Sequence, residues 1–220
     1  MVINIKHVSK SIQLKDKRLE ILRDISFDLE SNNITLLYGK SGSGKTTLLH
    51  ILSGLDQPTH GECIINGVTI SDLSVDQRAE FRLQNIGMVY QFFNLIPNLT
   101  IFENIKLPLI LDRKKIDVSY INQTAAYLGI TEILNQYPPE CSGGELQRAS
   151  FARAMINKPK LIIADEPTGN LDSENRQMLL ELIKNLSIDY GITFFIATHD
   201  DQFKDISNNI INIVDGEVHS

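Results

Sequence analysis

The sequence contains only two cysteines among its 220 residues, Cys63 and Cys141. Two cysteines are too few for a disulfide framework, so a small disulfide-held secreted scaffold is excluded and a reducing compartment is expected. The first residues contain no basic segment followed by an apolar run, so we expect no secretory signal. The chain also lacks an internal repeat, a low-complexity tract and a flexible linker. These absences favour a cytoplasmic globular protein.

Long apolar runs and an excess of basic charge are missing as well. The longest stretch without a charged residue, residues 83–102, is long enough for a membrane span. It contains three asparagines, two glutamines and a proline, however, so a membrane helix is not expected. Lysine and arginine number 21 against 27 acidic residues, a formal net charge of −6. A dedicated nucleic-acid binder should carry a basic face, so no nucleic-acid partner is expected. Adhesion to an anionic membrane by charge alone is disfavoured for the same reason.

Hydrophobic patterning predicts a mixed α/β fold. Three short apolar runs, at residues 34–38, 161–164 and 193–197, each end at polar residues and are typical of buried parallel strands. Ligands bind at the carboxyl edge of such a sheet. Residues 2–29 alternate instead, which predicts antiparallel strands around a charged loop at residues 15–20. Further patterns predict strands at 86–90 and 210–214, a hairpin at 61–70, and helices at 45–53, 118–128, 131–137, 143–157 and 173–187.

A phosphate-binding loop is predicted at residues 39–46, which match the pattern G-x-x-x-x-G-K-[ST]. Glycines let backbone N–H groups approach phosphate oxygens, and the following helix presents its positive end to the same anion. Lys45 is expected to reach the β- and γ-phosphates, and the Thr46 hydroxyl to contact Mg²⁺. The alternative, a glycine-rich turn, is disfavoured because the motif lies between a strand and a helix. The expected nucleotide-binding residues here are Gly39, Lys40, Ser41, Gly42, Ser43, Gly44, Lys45, Thr46 and Thr47.

Two carboxylates, Asp165 and Glu166, follow the second apolar run. Asp165 has the position of a second Mg²⁺ ligand, and Glu166 that of a group that orients or deprotonates an attacking water. Two solvated acids in a turn would be the alternative. The phosphate loop upstream favours the catalytic interpretation, because Mg²⁺ needs such a ligand in ATPases that carry this loop.

A Ser-Gly-Gly-Glu segment at residues 142–145 has two compatible interpretations. Ser142 and Glu145 match a capping box, which predicts a helix start. The Ser142 hydroxyl and the N–H groups of Gly143 and Gly144 also form a potential anion site at a helix N-terminus.

These motifs in this order resemble the ATPase subunit of ABC transporters over nearly the whole chain. The resemblance rests on the phosphate loop, Gln91, residues 142–148, Asp165-Glu166, residues 170–172 and His199. The segments at 89–100 and 165–172 resemble most closely the branch that contains MacB, LolD and FtsE. The resemblance implies an α/β P-loop NTPase fold with a RecA-like parallel-sheet core, an antiparallel β subdomain and an α-helical subdomain near residues 92–157. It implies one ATPase domain covering residues 1–220.

The resemblance also assigns roles. Gln91 would contact Mg²⁺ or the attacking water, and His199 the γ-phosphate. Ser142, Gly143, Gly144 and Glu145 would meet ATP held by the other protomer of a homodimer. Asp172 would cross the dimer interface. Ile12 occupies the position of an adenine-stacking aromatic, so weak base selectivity is expected. Cys141 and Glu145 replace the more common leucine and glutamine, and neither change removes a hydrolytic group.

The implied function is an ATPase that dimerises around two ATP molecules and powers a separate integral membrane permease-type subunit. That subunit would be an exporter or a mechanotransmitter of the antimicrobial-peptide, macrolide or lipoprotein type. The chain would sit on the inner face of the membrane through that partner, whose cytoplasmic helix enters a groove. Five apolar residues could line this groove or fill the core of the helical subdomain, and both alternatives stay open: Phe92, Phe93, Leu95, Ile96 and Leu99. Alternative functions are a soluble regulatory switch of a cell-division or envelope complex and, less consistent with the Ser-Gly-Gly segment, a small-molecule kinase.

Overall fold

A computed structural model describes residues 3–15 and 17–219 of the chain. The strands are β1 (Ile3–Leu14), β2 (Lys17–Leu29), β3 (Ile34–Tyr38), β4 (His60–Ile65), β5 (Val68–Thr69), β6 (Ile86–Val89), β7 (Leu161–Asp165), β8 (Thr193–Thr198), β9 (Asn209–Val214) and β10 (Glu217–His219). The α-helices are α1 (Lys45–Leu52), α2 (Val75–Asn85), α3 (Ile101–Leu111), α4 (Val118–Tyr127), α5 (Gly143–Met155) and α6 (Ser173–Tyr190).

The central sheet has the strand order β10-β9-β3-β8-β7-β6. The five strands from β9 to β6 are parallel, and β10 adds an antiparallel edge. All six residues of β8 are buried, as expected for a parallel strand covered on both faces. The three predicted buried strands are therefore confirmed, and they are neighbours in the order β3-β8-β7. Their carboxyl ends meet at one edge of the sheet.

A second, antiparallel sheet has the order β2-β1-β4-β5. The expected charged loop at residues 15–20 is too long, because residues 17–20 already belong to β2. Their side chains are exposed, so charged residues carry no burial cost and the backbone pairing continues to the end of the hairpin. The predicted hairpin between β4 and β5 is confirmed. Asn66 and Gly67 both have positive φ, +52° and +78°, which is the conformation of a two-residue type I′ turn.

Helix α3 is not among the predicted helices, because a proline at position 108 locally disfavours a helix. The helix continues through Pro108 to Leu111. Ile101, Ile105 and Leu109 share one buried face at spacings of four residues, and their packing outweighs the cost of about 3 kcal/mol for an interior proline.

Helix α2 was not predicted because its sequence is mostly polar. Its only buried residue is Arg78, and a capping box of Ser74 and Gln77 defines its start. The helix expected at residues 131–137 is reduced to one short 3₁₀ turn, Thr131–Ile133.

The central sheet separates two hydrophobic clusters. Ile162 and Phe194 face the cluster formed with α3, α4, α5 and α6. Ile163 and Phe195 face the other cluster, formed with α1 and the antiparallel sheet. This alternation follows from the two-residue period of a strand. The predicted fold class, a parallel core with an antiparallel β part and a helical part, is confirmed. None of the helices in the described ranges combines the length and the apolar composition needed to cross a membrane.

Candidate active site

The phosphate loop connects β3 to α1, as predicted. Gly42 and Gly44 have φ values of +82° and +104°, a region that favours glycine. A Cβ on Gly44 would lie 2.7 Å from Leu22 Cδ2, so this position needs glycine for packing as well. A Cβ on Gly42 would have nothing within 4 Å. Gly42 therefore leaves open space in front of the loop, where a phosphate chain could approach the backbone.

Lys45 lies inside this loop and is almost fully buried. Its Nζ donates hydrogen bonds to the main-chain oxygens of Gly39, at 2.7 Å, and Lys40, at 3.1 Å. Glu166 Oε1 lies 3.5 Å from the same Nζ. The ammonium group is thus held at the centre of the site by two carbonyls and a carboxylate.

Thr46 and Asp165 join the loop to the end of β7. The Thr46 hydroxyl donates to Asp165 Oδ2 at 2.8 Å. Register brings them together: Asp165 pairs with Ala197 on β8, and the next β8 residue, Thr198, pairs with Tyr38 just before the loop. Burial raises the pKa of the Asp165 carboxyl, and the adjacent Glu166 charge raises it further, against the lowering effect of the Thr46 hydrogen bond.

Glu166 is held in a conformation that is costly for a non-glycine residue. Its φ is +45°, in the left-handed region, and its N–H donates to the Ala197 oxygen at 2.8 Å. Its two carboxylate oxygens contact different partners on β8 and just beyond it. Thr198 Oγ1 donates to Oε2 at 3.1 Å, and His199 Nδ1 lies 2.8 Å from Oε1. The surrounding contacts therefore fix the direction of this carboxylate.

These groups surround a cavity of about 360 Å³. Ten of the predicted residues line it: Ser41, Gly42, Gly44, Lys45, Thr46, Thr47, Gln91, Asp165, Glu166 and His199. Sequence reasoning missed one wall residue, Ile21 on β2. In the sequence it is one apolar residue in an alternating strand, and no local signal marks it as part of a site.

The donor set fits a nucleotide phosphate chain with Mg²⁺. The cavity is lined by the Lys45 ammonium and, beside it, by the hydrogen-bonded Thr46 hydroxyl and Asp165 carboxylate. No cluster of three or more histidine, cysteine or acidic side chains suited to a metal occurs within residues 3–15 and 17–219. Mg²⁺ in phosphate sites characteristically takes one or two protein ligands and completes its shell with phosphate and water. Thr46 and Asp165 match that requirement.

The Ser-Gly-Gly segment does not line this cavity. Ser142 caps α5: its N–H and its hydroxyl both donate to Glu145 Oε2, at 2.8 Å and 2.6 Å. These hydrogen bonds lower the pKa of Glu145. A Cβ on Gly144 would collide with the side chain of Asn175, so the start of α5 packs directly on the start of α6.

Asp172 and Ile12 also lie outside the cavity lining. Asp172 caps α6 by accepting the Asn175 N–H at 2.8 Å. Ile12 pairs with Leu19 across the β1–β2 hairpin and is 38% exposed. The roles assigned to both residues stay predictions.

Another cavity, of about 890 Å³, lies away from this chemistry, between α2, α3, α5 and β6. Among the five apolar residues considered for a partner groove, none lines it; Asn94 is the one residue of the 92–99 segment that does. Leu95 packs against the core, while Phe92 is 72% exposed. Because Phe92 is exposed, it does not fill the core of the helical subdomain. Its place in a groove for the membrane partner stays a prediction.

Comparisons with known proteins agree with this geometry. The sequence profile of the ABC transporter family matches residues 22–169. The lipoprotein-releasing system ATP-binding protein LolD of Buchnera aphidicola is 43% identical over 205 residues, covering 91% of this chain and 89% of LolD. The macrolide export ATP-binding/permease protein MacB of Bdellovibrio bacteriovorus is 37% identical over 219 residues, 100% of this chain but 34% of MacB.

Solved structures give the same result. The dimeric structure of MJ0796, a bacterial ABC transporter cassette, superposes with a TM-score of 0.92 at 35% identity, covering 99% of this chain and 97% of that one. A post-hydrolysis state of MJ0796 bound to ADP and Pi superposes with a TM-score of 0.90 at the same identity and coverage.

Proposed function

Because the chain belongs to the ABC transporter family of ATPases, we propose that it is the ATP-hydrolysing subunit of a membrane complex and powers a separate membrane protein. One observation carries the proposal: the phosphate loop, Asp165, Glu166 and His199 converge on one cavity, whereas the Ser-Gly-Gly segment lies outside it. Residues 1–220 form one ATPase domain in this proposal, with residues 92–157 as its helical subdomain.

The phosphate loop binds the nucleotide through backbone N–H groups and the Lys45 ammonium. Lys45 needs only to exchange a carbonyl contact for a phosphate oxygen, because its Nζ already lies within the loop. Thr46 and Asp165 would hold Mg²⁺, which would supply positive charge to the phosphate chain. Gln91 also lines the cavity and would contact the metal or the attacking water.

Glu166 orients the attacking water and accepts its proton as the oxygen bonds to the γ-phosphorus and the bond from that phosphorus to the bridging oxygen of ADP breaks. Lys45 Nζ lies 3.5 Å from this carboxylate, and the Thr198 hydrogen bond limits its rotation. His199 touches the same carboxylate on its exposed side and donates to the γ-phosphate. ADP and inorganic phosphate are then the products.

A second copy of the chain completes the site. Ser142, Gly143, Gly144 and Glu145 carry donors suited to a phosphate, yet they do not line the cavity of their own chain. A two-fold dimer places each of these segments on the nucleotide of its partner, so that two identical sites form at once. Asp172 lies beside them at the start of α6 and contacts the partner. The likeness to a dimeric cassette supports this arrangement.

The membrane-spanning partner is a separate polypeptide whose cytoplasmic helix docks beside the exposed Phe92. MacB is named both ATP-binding protein and permease, and this chain covers only 34% of it, which supports a permease part outside this chain. The proposal places the protein on the cytoplasmic face of the membrane. Its substrate class follows the names of these relatives, a lipoprotein or a macrolide, and the resemblance of its motifs adds an antimicrobial peptide.

Isolation of the tagged chain from its native membrane tests the proposal. An integral membrane protein should co-purify, and the isolated complex should hydrolyse ATP in the presence of Mg²⁺. Lys45→Ala should retain the membrane protein but lose hydrolysis. Isolation of soluble proteins alone, or hydrolysis that is insensitive to Lys45→Ala, would contradict the proposal.

A further inference from the structure

Arg153 on α5 holds the main chain just beyond Gln91. Its Nη2 donates to the oxygen of Phe93 at 2.9 Å, and its Nη1 donates to the oxygen of Asn94 at 2.5 Å. The two donors of one planar guanidinium therefore engage two consecutive carbonyls. A lysine would have to reach both carbonyls from one shorter-reaching nitrogen, whereas the guanidinium reaches them from two nitrogens held in one plane.

The segment that Arg153 holds has an unfavourable backbone conformation. Phe93 and Asn94 have φ values of +60° and +50°, so two consecutive non-glycine residues lie in the left-handed region. Asparagine tolerates this region, but a phenylalanine rarely adopts it. Such a conformation persists only where surrounding contacts impose it. The Arg153 hydrogen bonds are contacts of that kind, since they bind the carbonyls of these same two residues.

This turn lies between the nucleotide cavity and the 890 Å³ cavity. Gln91 lines the nucleotide cavity, while Tyr90, Asn94 and Arg153 line the 890 Å³ cavity. The Phe93 N–H donates to the oxygen of Tyr90, which closes the turn around Gln91. The turn therefore flanks Gln91 on its C-terminal side, while Asn170 Nδ2 donates to the main-chain oxygen of Gln91 at 2.7 Å.

We propose that Arg153 is a positioning residue for ATP hydrolysis, which holds the turn at residues 92–94 and so keeps Gln91 in the nucleotide cavity. The inference rests on the proposed contact of Gln91 with Mg²⁺ or water. Arg153 itself is not among the residues that line the nucleotide cavity. Among the described residues, its hydrogen bonds go to neither the phosphate loop nor Glu166.

Arg153→Lys tests this role, since lysine keeps the positive charge and the aliphatic stem but loses the two coplanar nitrogen donors. We expect kcat to fall about tenfold or more with a change in KM for ATP of less than about twofold, because misplacement of one group costs turnover more than nucleotide binding. Hydrogen–deuterium exchange of the peptide covering residues 90–96 should rise. Asn94→Gly added to Arg153→Lys should restore part of kcat, because glycine adopts a positive φ without strain.

Arg78→Lys is the matched control. Arg78 is a buried arginine on α2 that also donates to a main-chain oxygen, that of Leu73, at 2.8 Å. It lines neither cavity. Its replacement should leave kcat and the exchange of residues 90–96 at parental values, even if the melting temperature falls.

A second variant keeps the inference testable if Arg153→Lys does not fold. Asn94→Pro changes an exposed residue and leaves α5 intact, but proline cannot adopt a φ of +50°. It should give the same loss of kcat with little change in KM. Parental kcat in Asn94→Pro, or a parental exchange rate for residues 90–96 in folded Arg153→Lys, would overturn the inference.

Gln91→Ala separates this inference from the function proposed above. If Gln91→Ala keeps parental activity, the role proposed for Gln91 is wrong and the inference about Arg153 falls with it. If Gln91→Ala loses activity while Arg153→Lys keeps both kcat and loop protection, only the inference about Arg153 is wrong.

Discussion

The hydroxyl of Thr46 donates a hydrogen bond to Asp165 Oδ2 at 2.8 Å, across 119 positions of sequence. This contact links the helix that follows the phosphate loop to the end of β7. It places one hydroxyl and one carboxylate side by side, as two ligands of a single small cation require.

Thr46→Val should therefore raise the Mg²⁺ concentration needed for half-maximal hydrolysis by about tenfold or more, since a missing ligand at a metal site characteristically costs affinity on this scale. Valine has the shape of threonine, so the fold should be unaffected. A Mg²⁺ titration of ATPase activity is the measurement, with Thr59→Val on the antiparallel side of the molecule as the control. Identical titration curves for Thr46→Val and the parent would contradict the assignment.

Glu166→Gln should bind ATP, lose turnover and accumulate as a dimer when ATP is added. Glutamine keeps the size of the side chain and can still contact Thr198 and His199, but it cannot accept a proton from water. Loss of a general base costs about 10² to 10⁴ in rate. ATPase assays and light scattering after gel filtration measure the two effects.

Glu181→Gln is the control for this variant, because Glu181 is an exposed acid on α6. It should hydrolyse ATP at the parental rate and stay monomeric without trapped nucleotide. Hydrolysis by Glu166→Gln at the parental rate would show that Glu166 is misassigned.

GTP should compete with ATP almost equally well, because Ile12 replaces the aromatic residue expected at the base. Ile12→Tyr should strengthen ATP binding about fivefold, since stacking contributes about 1 kcal/mol. Titration calorimetry with both nucleotides measures this. Gln13→Tyr is the control, since neighbouring strand residues point to opposite faces. A strong preference of the parent for ATP would contradict the prediction.

The two thiols should differ in reactivity. Cys63 is fully buried, and burial raises the pKa of its thiol to about 12, so no thiolate forms in the folded protein below pH 9. Cys141 is half-buried next to Ser142, and burial together with Glu145 and Glu140 raises its pKa more moderately. Ellman's reagent should label one thiol per folded chain, faster as the pH rises toward 9.

ATP should slow this labelling in the Glu166→Gln background, because the dimer covers the start of α5. Cys141→Ser should abolish the reaction of the folded chain and identify the reactive thiol. An equal labelling rate with and without ATP would contradict the position proposed for the Ser-Gly-Gly segment.

Much of the site was predictable from the sequence because its signals are local. Glycine spacing predicts the phosphate loop, short apolar runs predict β3, β7 and β8, and a serine three residues before a glutamate predicts the start of α5. Helices α2 and α3 were missed for local reasons too. Helix α2 is too polar to show a periodic apolar face. In α3, Pro108 disfavours a helix locally, and only the burial of the helix's apolar face in the core compensates for it.

The sequence alone determined the chemistry available to this protein, because the residues of each motif are contiguous and their spacing defines the backbone they need. Only the tertiary structure decided how the motifs act together. Strand register brings Asp165 to Thr46 and Glu166 to His199, and packing brings Arg153 to the carbonyls of Phe93 and Asn94, 60 and 59 residues away. Such contacts depend on which strands become neighbours and on how helices fill the core. The spacing of residues along the sequence specifies neither the strand neighbours nor the helix packing.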